Sequence, residues 1–295
     1  MANLNSQTYS DGPVEDEIFT LFQQSDWPKL ADKIIENNPS WAMRYHLSPV
    51  RHNLLSWFDF QSGSKVLEIG AGCGALTGLL LGKELSVTAL ELSQKRADII
   101  KQRFMGNSNL SVISGNVFSA ELDTNFDYVT VIGVLEYSGK YIKTKSPYLD
   151  FLSAAKKFLK KDGVLILAIE NKFGLKYWSG CAEDHTGNFF ESIEDYPYQK
   201  EVKTFSKDEL TDLLKQVGFS KLNFYYPLPD YKLPEEIFSD QYLPSVGHLP
   251  KLNIFPTPDH SRPREYLFNE KNVMHNIIKN NQFPFFANSF LVFAQ

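Results

Sequence analysis

The stretch Val66-Leu67-Glu68-Ile69-Gly70-Ala71-Gly72-Cys73-Gly74-Ala75 constrains this chain more than any other. An apolar run leads straight into three glycines at alternate positions, and a helix candidate, Ala75–Leu81, follows at once. Glycine in such a bend permits positive φ and lets a ligand approach bare backbone. A strand, loop and helix in this order place a nucleotide-like ligand at the carboxyl end of the strand, near the switch point of an α/β sheet.

The rest of the chain carries the same logic forward. Apolar runs at Lys65–Ile69, Leu85–Glu91, Leu110–Ser114, Tyr128–Ile132 and Val164–Ile169 alternate with helix candidates at Ala75–Leu81, Gln94–Phe104 and Tyr148–Lys160. That alternation predicts βαβ units and a mostly parallel sheet, whose buried strands should be near-continuously apolar. Ser206 with Glu209 forms a capping-box pattern for a helix over Lys207–Gln216, and Gly218 marks its end. Lys221–Tyr226 and Phe290–Ala294 are further strand candidates. Ahead of the glycine loop, Asp16–Gln24, Trp27–Glu36 and Pro49–Phe60 read as helices. The expected organisation is a helical cap over 1–60 and one domain over 61–295. Inserts near 171–203 and 227–283 interrupt that domain, and irregular segments of such length are usually functional or disordered.

Composition narrows the function. Net charge is -5 with no long basic run, which argues against binding dominated by phosphate neutralisation. Two cysteines, Cys73 and Cys181, cannot build a disulfide framework. The polar, acidic start and the lack of an apolar run near the roughly 20 residues of a membrane span predict a cytoplasmic protein. The 23 Phe and 14 Tyr read either as core or as the lining of an acceptor pocket.

Gly70, Gly72 and Ala75, with Glu91 further on, also fit a dinucleotide pattern, so an NAD(P)-dependent oxidoreductase is a genuine alternative. Glu68 weighs against it. A carboxylate two residues before the first glycine sits badly beside a pyrophosphate and well beside a cationic ligand. Gly74 adds a third glycine, a wider bend than a pyrophosphate turn requires.

At these residues the chain resembles the class I S-adenosylmethionine-dependent methyltransferases, whose first motif is matched by Glu68, Gly70, Gly72 and Gly74. The resemblance implies a Rossmann-like, seven-stranded, mostly parallel α/β sheet with a helical N-terminal cap and inserted lid segments. It implies S-adenosyl-L-methionine as cofactor, with Ala71 also in the loop. Glu91, followed by Leu92, matches the family's acidic residue for the ribose hydroxyls. Asn116 and Val117 stand where the family usually has an acidic residue near the adenine; the Asn116 amide oxygen can accept the same bond. Val134, in Gly133-Val134-Leu135-Glu136-Tyr137, matches the segment beneath the methionine end. Tyr45 and Arg51 in the cap are candidates for the cofactor's carboxylate, since an arginine fork suits that group.

Methyl transfer needs acceptor and methyl held in line, and a base for the acceptor's proton. His185 is the leading base because its ordinary pKa lies near working pH; it reads equally as a surface-loop histidine. Glu170 and Tyr177 are further candidates. Cys181 and Cys73 read as structural. Asp184-His185 and Asp259-His260 are the only local pairs for a metal and lack ligand spacing, so no metal is expected. A weaker resemblance, over Glu170–Gly187 and Phe224–Tyr231, is to bacterial methyltransferases associated with glycosyltransferases. It implies O- or N-methylation of a small-molecule or glycan-like acceptor. A peptide or protein acceptor, and a non-catalytic partner that kept the fold, stay open. Acidic charge and the missing Asn/Asp-Pro-Pro-aromatic tetrad argue against a nucleic-acid acceptor. Nothing in the sequence sets the oligomeric state.

Overall fold

A computed structural model describes residues 10–37, 39–251, 254–259 and 262–295. His260, half of one expected pair, lies outside them. In chain order the elements begin with α1 (Val14–Phe22), α2 (Trp27–Glu36), α3 (Trp41–Leu47) and a 3-10 turn at Pro49–Leu54. Then come β1 (Lys65–Ile69), α4 (Ala75–Gly82), β2 (Ser86–Glu91), α5 (Gln94–Arg103), β3 (Leu110–Ser114) and β4 (Phe126–Ile132). Next are α6 (Ser138–Tyr141), α7 (Pro147–Lys157), β5 (Leu159–Glu170), α8 (Leu175–Trp178) and α9 (Lys207–Gln216). The chain closes with β6 (Leu222–Leu228), β7 (Glu236–Ser239), α10 (Glu270–Lys279), α11 (Phe283–Phe286) and β8 (Ser289–Ala294).

The strands form one sheet in the order β3-β2-β1-β4-β5-β8-β6-β7, eight rather than the expected seven. The added strand is β7, four residues within the expected 227–283 insert, pairing antiparallel with β6 through Tyr226 and Phe238. So short a run carries no readable alternation. That is why the sequence count falls one short.

The chain divides into two compact units. The first comprises residues 1–131 and 154–165. In it β1 lies parallel between β2 and β4, with Leu67 level with Thr88 and Val129, and β2 pairs parallel with β3. Val66 and Leu67 are wholly buried, as a strand covered on both faces requires. Ser93 caps α5, accepting from the Arg96 N–H. Arg96 is buried and joins α5 to α1: its Nε donates to Glu15 at 2.8 Å and its other nitrogen to Asp11 at 2.6 Å. Asp11 also holds the His46 ring at 2.8 Å. Ile18, Phe22, Met43, Leu47, Cys73 and Ile99 pack into one cluster, so Cys73 serves as a small apolar residue. Burial pushes its thiol up to about 12.

The second unit comprises residues 132–153 and 166–295. Its β6 pairs antiparallel with β8, Phe224 facing Val292. The expected capping box is present: Ser206 Oγ accepts from the Glu209 N–H at 3.2 Å, and Glu209 accepts from the Ser206 N–H at 2.8 Å. The late aromatics are chiefly core, since Tyr177, Tyr226, Tyr231, Phe238, Phe283 and Phe290 are fully buried. Cys181 is also buried, its thiol pushed up to about 11 by desolvation. α10, capped by Asn269, was not read from the sequence, although Met274, Ile277 and Ile278 mark its buried face.

Candidate functional site

The first unit carries the glycine loop. Gly70, Gly72 and Gly74 all have positive φ, at 75°, 59° and 81°. A Cβ on Gly74 would meet Phe104 at 2.9 Å, so that glycine is required by packing of the loop against α5. Gly72 is different: a Cβ there would meet only His46, at 3.8 Å. Its freedom serves backbone conformation.

Glu91, the last residue of β2, secures the loop. One carboxylate oxygen accepts from the Gly72 N–H at 2.8 Å, the other from the Ser93 N–H at 2.9 Å. Each oxygen keeps a second lone pair, so the group can still accept hydroxyl hydrogens. The Gly70 N–H is spent on the Leu90 carbonyl at 2.8 Å. Loop amides committed in this way are not the free donors that a pyrophosphate cradle uses. Glu68 is buried and accepts from the Thr77 hydroxyl at 2.5 Å. Burial raises its pKa to about 7, against the pull of that hydrogen bond and the Arg51 charge.

Of the other expected donor-site residues, Arg51 is buried, donates to the Tyr45 hydroxyl at 2.8 Å and lies over its ring at 4.0 Å. Leu92 is 37% exposed beside Glu91, an apolar surface at the strand end. Asn116 opens a turn: its side-chain oxygen accepts from the Phe118 N–H at 2.8 Å, and Val117 is buried beside it. Ala71 packs inward. Val134 belongs to the second unit, where it precedes the short turn Leu135–Tyr137.

The second unit gathers a buried ionic cluster. Glu136 follows the carboxyl end of β4, Glu170 is the last residue of β5, and His185 lies in the 171–203 insert. His185 Nε2 is 3.7 Å from Glu136 and 3.9 Å from Glu170. Its Nδ1 is held by Glu183 at 2.8 Å. Lys232 is hydrogen-bonded to the other oxygen of Glu170 and lies 3.2 Å from Asp184. Lys176 contacts Asp184 at 2.7 Å and Asp230 at 3.6 Å.

Burial opposes charge on His185, but the surrounding carboxylates of Glu170, Glu136 and Glu183 hold its pKa well above the ordinary value. Desolvation raises Glu136, with the Glu170 charge adding to it. Asp184 goes the other way: Lys176 and Lys232 outweigh burial and hold it well below the carboxylate range. Tyr177 donates to Asp184 at 2.5 Å, and burial among carboxylates keeps its hydroxyl protonated. Tyr177 is thus a positioning group, not a ready base. Two of the three expected catalytic residues, His185 and Glu170, come together. Glu136, Glu183, Lys176 and Lys232 were not read as partners, because their contacts join segments up to 62 positions apart.

Comparison with known proteins adds the family. Residues 67–165 match the family model described as a methyltransferase domain. That match, over about a third of the chain, agrees with the resemblance to class I S-adenosylmethionine-dependent methyltransferases carried by the glycine loop. The chain is 27% identical over 110 residues to ribosomal RNA small subunit methyltransferase A of Borreliella afzelii, covering 37% of this chain and 39% of that protein. It is 33% identical over 111 residues to the mitochondrial ubiquinone biosynthesis O-methyltransferase of Schizosaccharomyces pombe, covering 36% and 38%. A demethylmenaquinone methyltransferase of Staphylococcus epidermidis is 28% identical over 187 residues, covering 58% and 74%. The chain thus spans well under half the length of the ribosomal RNA relatives. A Thermotoga maritima structure described as a possible histamine N-methyltransferase superposes with a TM-score of 0.46 and 16% identity, covering 94% of this chain and 99% of that one. Among the described residues no helix is long and apolar enough to cross a membrane.

Proposed function

We propose that this methyltransferase moves the methyl group of S-adenosylmethionine to an oxygen or nitrogen of a small-molecule or glycan-like acceptor. The observation that carries the reading is Glu91 holding the Gly72 and Ser93 amides. It leaves a glycine bend bordered by two carboxylates, Glu68 and Glu91, with its Gly70 and Gly72 amides committed. That field favours a sulfonium and an ammonium and repels a pyrophosphate. Glu91 receives the ribose hydroxyls, Leu92 and the Asn116–Val117 turn border the adenine, and Tyr45 with Arg51 faces the carboxylate. Gly133-Val134-Leu135-Glu136-Tyr137 lacks the tetrad that suits nucleic-acid amines, which supports a different acceptor. In the cluster of His185, Glu170 and Glu136 a carboxylate takes the acceptor's proton, since His185 already carries one. As the methyl moves to the acceptor, the sulfur leaves as a neutral thioether without help.

Calorimetry with S-adenosylhomocysteine and with NAD+ tests the reading: the first should bind and the second should not. Binding of NAD+ alone would overturn it. Glu91→Ala should weaken S-adenosylmethionine by about 1 to 3 kcal/mol, the range for hydrogen bonds to a charged group.

The donor site also has a pH signature. Glu68 titrates near 7 when folded, above its ordinary 4.5. Between those values the folded chain holds a proton that the unfolded chain has lost, so Glu68 makes stability decline as pH rises across that window. A cationic donor favours the ionised carboxylate. Affinity for S-adenosylmethionine should therefore climb as pH rises through about 7. Glu68→Gln should flatten that climb in a titration series; an unaltered slope would remove Glu68 from the site.

A further inference from the structure

We infer that Glu136, Glu170 and His185 form a binding site for one divalent metal ion. Each can offer one ligand atom, and these atoms lie within 4.8 Å of one another. Ligand bonds of about 2.1 Å place neighbouring donors roughly 3.0 to 3.4 Å apart. The observed 3.7 and 3.9 Å separations from His185 are somewhat wider than this, so binding would draw the side chains together by up to about an ångström.

Two observations point to a ligand rather than to an acidic cluster that merely tolerates itself. Glu136 and Glu170 are 1% and 0% exposed, yet Oε2 of each has no hydrogen-bond partner. A buried carboxylate oxygen left without a partner is costly. Two of them beside one imidazole amount to an unfilled set of donors. The second observation is the orientation of the ring. Glu183 takes His185 Nδ1 at 2.8 Å and, through its other oxygen, accepts from the His185 and Thr186 amides at 2.8 Å each. This carboxylate fixes the ring with Nε2 turned toward Glu136 Oε1 and the partnerless Oε2 of Glu170. Ligating histidines characteristically donate their remaining N–H to such a carboxylate.

Charge agrees. The carboxylates of Glu136, Glu170, Glu183, Asp184 and Asp230 outnumber the cations they meet, Lys176, Lys232 and the His185 imidazolium, and a metal ion would take the place of the His185 proton. A divalent cation would offset most of that excess. Lys232, already on Glu170, competes for one oxygen and limits affinity without blocking Oε2. Two carboxylates suit Mn2+, a hard divalent ion that also tolerates one imidazole. Local His and carboxylate pairs do not reveal this site, because its ligands come from three separate segments of the chain. A cation here would lower the pKa of an acceptor hydroxyl bound to it; that consequence alone rests on the methyl-transfer reading.

The test uses Mn2+ alone with the full chain, so its outcome is separate from donor binding. Mn2+ titration followed by electron paramagnetic resonance should show one ion bound per chain. Electron spin echo modulation on the unaltered protein should show coupling to an imidazole nitrogen. Glu136→Gln and His185→Gln should each weaken Mn2+ at least tenfold, and Glu183→Gln should do so by about 10 to 100-fold, the effect of losing the carboxylate that orients a ligand. Absence of nitrogen coupling in the unaltered protein would overturn the site whether or not the variants fold. Undiminished Mn2+ binding by Glu136→Gln, with circular dichroism matching the parent, would overturn it as well.

Discussion

Gly72→Val is expected to abolish S-adenosylmethionine binding while leaving a cooperatively folding protein. The residue sits at φ 59°, in the left-handed region where a β-branched side chain is strained by about 1 to 3 kcal/mol. Space for the first carbon exists, since the nearest atom to a Cβ is His46 Cε1 at 3.8 Å. The stability loss should therefore stay near the strain alone. The binding loss should be larger. Relief of the strain would turn the Gly72 amide away from Glu91, and the two γ-carbons would occupy the face of the bend meant for the ligand. Gly72→Ala separates the two effects, because it keeps the room and adds only strain. Calorimetry beside a thermal melt reads both; full affinity in Gly72→Val would dismiss the loop as the donor site.

Lys232→Met should cost about 3 to 5 kcal/mol of unfolding free energy, the usual result of stripping one partner from a buried ion pair. Lys232 is bonded to Glu170, which is fully buried, and reaches Asp184 at 3.2 Å. Without the ammonium, Glu170 must stay ionised beside Glu136 or take up a proton. Either course penalises the folded state. Adding Glu170→Gln to Lys232→Met should recover a large part of the loss, because the charge left alone is then gone. Urea denaturation of the two single variants and the double variant closes the cycle. A single-variant loss below about 0.5 kcal/mol, the scatter of ordinary surface changes, would show that the pair does not carry the cluster.

How far each site could be read from the residues depends on sequence distance. β1 spans Lys65–Ile69, the range read from its apolar run, because a buried parallel strand must be near-continuously apolar; β3, at the sheet edge, also keeps its expected range, Leu110–Ser114. Ser206 and Glu209 announced α9 because a capping box is local. α3 at Trp41–Leu47 was passed over, and the helix expected over Pro49–Phe60 shortened to a 3-10 turn over Pro49–Leu54. Neither segment has enough turns for a period to emerge. The glycine loop was legible for the same reason that α9 was: Glu68 to Gly74 lie within seven positions, and β2 brings Glu91 beside them by the most common rule of α/β order.

The ionic cluster was not legible. Glu183 and His185 are two positions apart in the chain, but Glu136, Glu170 and Lys232 are brought to them by β4, β5 and the long segment after β6. Residue types alone point to His185 as a base and leave Glu136 in the segment beneath the methionine end. The chain by itself determined what is set by neighbours along the backbone: the alternation of strands and helices, the glycine bend and its two carboxylates, and the caps. Tertiary structure decided what burial and distance set. It enclosed His185 among carboxylates, kept Tyr177 protonated, and left two carboxylate oxygens facing one imidazole. Periodicity records which side of an element faces the core, and it carries no information on which buried charges meet.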